Sequence, residues 1–133
     1  MKRCMATIFL TLALACPCRT WAASPLSGAV DAGGGWKYST WFGCFWPGDP
    51  WVYSTDHGWV YLTGSADSML IWDSKGGWWW TRGTSYPFLY SSDQQSWLWY
   101  LKGSRNPRWF YNYSTGRWED DHAPRVALHF YRR

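Results

Sequence analysis

The sequence predicts an all-β protein made of tandem β-hairpins, and three observations carry that prediction. Aromatic side chains are dense, with 14 Trp, 9 Tyr and 6 Phe among 133 residues and only 17% charged residues. Rings that bury roughly 150–250 Å² each favour a packed fold over a disordered chain. Two aromatic series also keep one phase: Trp59, Trp78, Trp97 and Trp118 lie 19, 19 and 21 residues apart, and Tyr53, Trp72, Tyr90 and Tyr111 follow at 19, 18 and 21. Self-similarity at about 20 residues marks an array of small units, none of which buries its apolar face alone. Within each unit, two short β-prone runs flank a polar turn, which is the pattern of a hairpin. Together they predict an antiparallel meander or a short β-solenoid.

The N-terminus stands apart from this array. Met1-Lys2-Arg3 is a basic start, Met5 to Ala15 is apolar, and Thr20-Trp21-Ala22 puts small residues at the two positions a signal peptidase reads. Residues 1–22 are therefore expected to be a signal peptide, cleaved after Ala22 or Ala23, and the mature chain to be secreted, periplasmic or displayed at the cell surface. Ala13-Leu14-Ala15-Cys16 offers a second processing route, in which Cys16 becomes the lipid-bearing residue of a lipoprotein. Beyond this stretch no apolar run reaches the ~18 residues of a membrane-spanning helix. Processing removes Cys4, Cys16 and Cys18 and leaves Cys44 alone, so an intrachain disulfide is not expected. It also removes Lys2, Arg3 and Arg19, which takes 13 basic residues to 10 against 9 acidic ones. The precursor's +4 is thus mostly targeting charge. A near-neutral exported domain lacks the clustered basic face that nucleic acid requires.

Residues 23–35 read as a linker and 36–133 as the hairpin domain. A degenerate first unit spans Trp36 to Trp46. Pro50 to Tyr53 and Trp59 to Tyr61 then flank Ser54 to Gly58, a turn ending in a glycine suited to positive φ. The pattern returns as Leu70 to Trp72 and Trp78 to Trp80 around Asp73 to Gly77, and as Phe88 to Tyr90 and Trp97 to Trp99 around Ser91 to Ser96. A last unit joins Trp109 to Tyr111 and Trp118 through Asn112 to Arg117, and alternating Val126, Leu128 and Phe130 predict a closing strand.

Period-two alternation assigns faces. One side collects Trp51, Tyr53, Trp59, Tyr61, Trp72, Trp78, Trp80, Phe88, Tyr90, Trp97, Trp99, Trp109, Tyr111 and Trp118, and the other Val52, Val60, Ile71, Trp79, Leu89, Leu98 and Phe110. The second set is conventional core. The first exceeds what a small sheet needs to exclude water, and Trp51, Tyr53, Trp59, Tyr61, Trp72, Trp78, Trp80, Tyr90, Trp97, Trp99, Trp109, Tyr111 and Trp118 are its candidate ligand-binding residues. Apolar sugar faces and quaternary ammonium groups both stack on such rings, and repetition adds weak contacts along a polymer. The expected function is a non-catalytic binding module for a cell-envelope or extracellular polysaccharide. The alternative is a structural or protein-interaction module with its rings packed in the core.

Gly58-Trp59-Val60-Tyr61-Leu62 and Ser96-Trp97-Leu98-Trp99-Tyr100-Leu101, recurring at this period, resemble the choline-binding and glucan-binding repeats of bacterial surface proteins. That resemblance implies stacked hairpins with ligand sites made of rings from neighbouring units. Gly76-Gly77-Trp78-Trp79-Trp80 and Ser104 to Phe110 resemble uncharacterised Trp-rich secreted bacterial proteins, which implies no activity.

No enzyme, cofactor or metal site is expected. Asp56, Asp73 and Asp93 read as equivalent turn residues, Glu119, Asp120 and Asp121 as a solvated end, and His57, His122 and His129 show no metal-ligand spacing. Cys44 reads as a small buried hydrophobe. Asn112-Tyr113-Ser114 matches a glycosylation sequon.

Overall fold

The computed structural model describes residues 24–48 and 50–122. The expected signal peptide, the expected lipid-bearing Cys16 and the strand expected around Val126 to Phe130 lie outside the described residues. Eleven strands follow one another: β1 (Val30–Gly33), β2 (Trp36–Ser39), β3 (Gly43–Trp46), β4 (Trp51–Ser54), β5 (Gly58–Ser65), β6 (Ser68–Asp73), β7 (Gly77–Thr81), β8 (Phe88–Ser91), β9 (Ser96–Tyr100), β10 (Trp109–Asn112) and β11 (Arg117–Asp120). Each pairs antiparallel with its sequence neighbours in a single sheet ordered β1 to β11. The fold is therefore a meander of hairpins. β1 begins at Val30, inside the stretch assigned to a linker, because Gly33, Gly34 and Gly35, all at positive φ, turn the chain back onto β2.

One turn design closes the repeated hairpins. Ser39, Ser54, Asp73, Ser91 and Asn112 each end the first strand of a hairpin, and each side-chain oxygen accepts a bond from a backbone N–H three residues on. Such short side chains can bond locally to their own turn, which replaces the ladder bond the chain loses there. Asp73 is therefore the counterpart of Ser54 and Ser91, whereas Asp56 and Asp93 sit two residues later in their loops; the three aspartates are not equivalent. The turns end on a left-handed residue, as at Gly58 (φ 73°), Gly77 (φ 69°) and Gln95 (φ 49°).

Alternation then separates two faces. Val52, Val60, Ile71, Trp79, Leu89, Leu98 and Phe110 all fall in the buried core, joined by Leu62, Met69, Phe45 and Tyr100. The sheet is staggered as well as twisted, since successive hairpins slip along the strand direction: Trp51 pairs Tyr61, Tyr61 pairs Trp72 and Trp72 pairs Trp78. A twisted, slipping sheet coils, and its inner face closes on itself. Phe42, from the β2–β3 turn, meets Tyr86 of the β7–β8 connector at 6.0 Å, and Lys102 of the β9–β10 connector donates to the Trp41 carbonyl at 3.2 Å. Turns of the early hairpins thus cap the connectors of the late ones.

Candidate functional site

Strand parity puts all thirteen candidate rings on the outer face of the coiled sheet. Seven are exposed (Trp51, Tyr53, Trp59, Trp78, Trp97, Trp109 and Trp118, 38–59%), while Tyr61, Trp72, Trp80, Tyr90, Trp99 and Tyr111 are half-buried. The two classes interlock. Trp51 lies edge-to-face between Tyr61 (5.6 Å, 75°) and Trp72 (5.8 Å, 85°), Trp97 between Trp80 (5.9 Å, 81°) and Tyr90 (5.5 Å, 67°), and Trp118 between Trp99 (5.9 Å, 72°) and Tyr111 (5.6 Å, 69°). Tyr53 holds Trp59 at 5.4 Å and 71°, and Tyr61 holds Trp78 at 6.0 Å and 86°. Such T-shaped pairs contribute about 0.5–1.5 kcal/mol each beyond their burial. Trp109 stands opposite Asp120 at the end of the array.

The recurring motif of the site is therefore an exposed indole braced edge-to-face, by two rings at Trp51, Trp97 and Trp118 and by one at Trp59 and Trp78. Bracing removes rotamer freedom before any ligand arrives, so less entropy remains to be lost on binding. The surroundings are nearly uncharged: among the described strands, parity places one charged side chain, Asp120, on this face. Trp80 Nε1 donates to Ser68 Oγ at 3.0 Å, which fixes one indole plane from the side. Cys44 also belongs here, opposite Tyr38, and is half-buried; it is not the core residue expected, because parity gives the inner position to Phe45.

The inner face carries a second constellation. Arg108 is buried and forks between two buried carboxylates, with Nη1 2.8 Å from Asp73 Oδ2 and Nε 2.7 Å from Asp121 Oδ2. Asp121 also accepts the Arg108 backbone N–H at 3.0 Å. Burial alone would favour neutral forms of both residues, but their mutual attraction and hydrogen bonds reverse that, so the Arg108 pKa is raised and that of Asp121 lowered. Asp121 is thus not the solvated end its acidic neighbours implied. His57 fills the gap beside them, Nδ1 3.2 Å from Arg108 Nη1 and Nε2 2.8 Å from the Tyr86 hydroxyl. Burial first, and the Arg108 charge second, push its pKa down to about 3. Desolvation likewise pushes the Tyr86 phenol well above its ordinary range and Tyr100 to about 12. Both carboxylates, both imidazole nitrogens and Nε and Nη1 of Arg108 are bonded within this group or to a turn, so its chemistry is that of a cross-link.

One other sequence expectation changes. Asn112 is buried, with Oδ1 accepting from Ser96 Oγ (2.7 Å) and Ser114 N (2.9 Å) and Nδ2 donating to Glu119 Oε1 (3.0 Å) and Gln94 Oε1 (3.1 Å). Its amide is committed to the turn and is closed to glycosylation in the folded chain. A cleft of about 910 Å³ opens at the N-terminal end of the core, between the 24–29 segment and Phe45, Val52 and Leu62, with Lys37 and Thr63 also on its lining.

No family model, curated protein or solved structure matches the chain.

Proposed function

We propose that the protein is an exported, non-catalytic binding module whose outer aromatic face engages a cell-envelope or extracellular polysaccharide. The observation that carries this reading is the set of seven candidate rings left 38–59% exposed on one face while the core is closed without them. Apolar area of this extent on a small domain marks an interaction surface. Its character narrows the partner. Flat, rigid, nearly uncharged indoles match the C–H faces of sugar rings, and repetition across the hairpins lets individually weak stacking contacts add along a chain of sugars. The same exposures speak against a purely structural module with every ring packed in the core.

The test is a titration of intrinsic Trp fluorescence with soluble polysaccharides, combined with pull-down on peptidoglycan, cellulose, chitin and choline resin. Binding to at least one polymer is expected, with Trp97→Ala and Trp118→Ala each weakening it about tenfold while losing only the about 1–3 kcal/mol of their two ring pairs and staying folded under the assay conditions. Absence of binding to every polymer and to the resin overturns the proposal.

A further inference from the structure

This inference rests on the polymer-binding reading of the outer face and specifies a chemical feature of the polymer. Tyr53 and Trp59 also line a cleft of about 450 Å³ at the turn end of the sheet, whose other walls are the β4–β5 turn with Asp56, the β6–β7 turn with Lys75 and the β9–β10 connector with Arg105. Trp59 is the most exposed indole of the outer face, at 59%.

The charges that line the cleft balance in number, but its carboxylates are withdrawn, with the Asp56 side chain 16% exposed and Asp73 and Asp121 almost fully buried, while Arg105 and Lys75 stand out into it. Asp73 gives Oδ1 to the Lys75 and Gly76 backbone N–H groups and Oδ2 to Arg108, and Asp121 gives both oxygens to Arg108. Arg108 turns Nε and Nη1 to those two carboxylates and His57 and is itself buried, and His57 is engaged by Arg108 and Tyr86. Arg105 and Lys75 differ. Arg105 is 57% exposed and meets Asp56 at 3.8 Å, beyond hydrogen-bond distance. Lys75 is 52% exposed and lies 3.5 Å from an Asp121 oxygen already held by Arg108 at 2.7 Å. A guanidinium offers five N–H donors and an ammonium three, so both heads keep unused donors in the cleft that the exposed Trp59 also lines.

We propose that this cleft binds an anionic sugar residue of the polymer, its ring on Trp59 and its carboxylate or sulfate oxygens on Arg105 and Lys75. Charge-assisted bonds from a planar guanidinium suit either oxyanion.

Two polymer pairs serve as probes for the full chain: polygalacturonate with its fully methyl-esterified form, and dextran sulfate with dextran. At low salt the anionic member of one pair is expected to bind about tenfold tighter than its neutral partner, and the pair concerned distinguishes carboxylate from sulfate. The double variant Arg105→Ala/Lys75→Ala is expected to lose that preference while binding the neutral member as the parent does. Arg117→Ala, a charge change outside the cleft, is expected to keep it. Equal binding of anionic and neutral members, a preference that survives the double variant, or an equal loss in Arg117→Ala overturns this inference and leaves the outer-face reading standing. Failure of all four polymers, together with the resins named above, instead removes the reading on which it rests.

Discussion

Arg108 has only donors, so the nitrogen of His57 that faces it at 3.2 Å must be the unprotonated one, and the other ring nitrogen donates to Tyr86. A second proton would set two donors against each other in a buried site, and this is the geometric counterpart of a pKa lowered to about 3. Because the folded value lies below the ordinary 6.5, the unfolded chain binds the extra proton more readily. Stability from this group is complete above about pH 6.5 and is lost as pH falls towards the folded value, by up to about 1.4 kcal/mol per pH unit. Asp121, also lowered, adds its own loss only as pH falls below the ordinary 3.8. Urea unfolding between about pH 6 and pH 4.5 should therefore show a stability decline that His57→Gln flattens, since Gln can accept from Arg108 and donate to Tyr86 without titrating. Arg108→Met leaves Asp73 and Asp121 as uncompensated buried carboxylates and should cost about 3–5 kcal/mol at neutral pH in the same assay. None of this cluster was legible as a cluster in the sequence. Asp73 reads as turn chemistry, which is half of what it does, and Asp121 as one of three acids at a chain end. Only the coiling of the sheet brings residues 57, 73, 108 and 121 together.

At the scale of the element, the hairpin is the unit whose sequence says most. The aromatic phase places the strands, and parity places the faces, because a period of two allows no other arrangement once one side is buried. The turns were less transparent. Their common feature is a short oxygen-bearing side chain at the strand end, and Ser, Asp and Asn fill that role interchangeably, so the shared position is hidden when attention rests on Asp alone. The glycines that follow separate two kinds of constraint. At Gly58 an added Cβ meets open space, and Gly58→Ala should cost only the left-handed backbone penalty, about 1–2 kcal/mol. At Gly76, which is not left-handed, the added Cβ runs into the buried Trp79 ring, and Gly76→Ala should instead carry an overpacking cost of about 1–3 kcal/mol by forcing that indole aside. Thermal or urea midpoints of the two variants check the ranking.

For the whole molecule, the sheet solves two problems with one deformation. Coiling closes the inner face, so that a chain of short strands obtains a core in which Val60, Ile71, Trp79, Leu89, Leu98 and Phe110 are fully buried. The same coiling turns the aromatic side outward, where neighbouring rings brace one another and remain accessible. The stagger that produces it is a register property set between hairpins, and connectors such as residues 82–87 and 101–108 do not advertise it in their composition. The division of labour between faces is sharpest at Trp78 and Trp79, adjacent in sequence, one 38% exposed and the other fully buried. Equilibrium urea unfolding of Trp78→Ala and Trp79→Ala, measured side by side, tests it most directly. The inner substitution should lose about 3–5 kcal/mol and the outer one less than half as much. Equal losses, or a larger loss at Trp78, would show that the outer rings belong to the core and contradict the account.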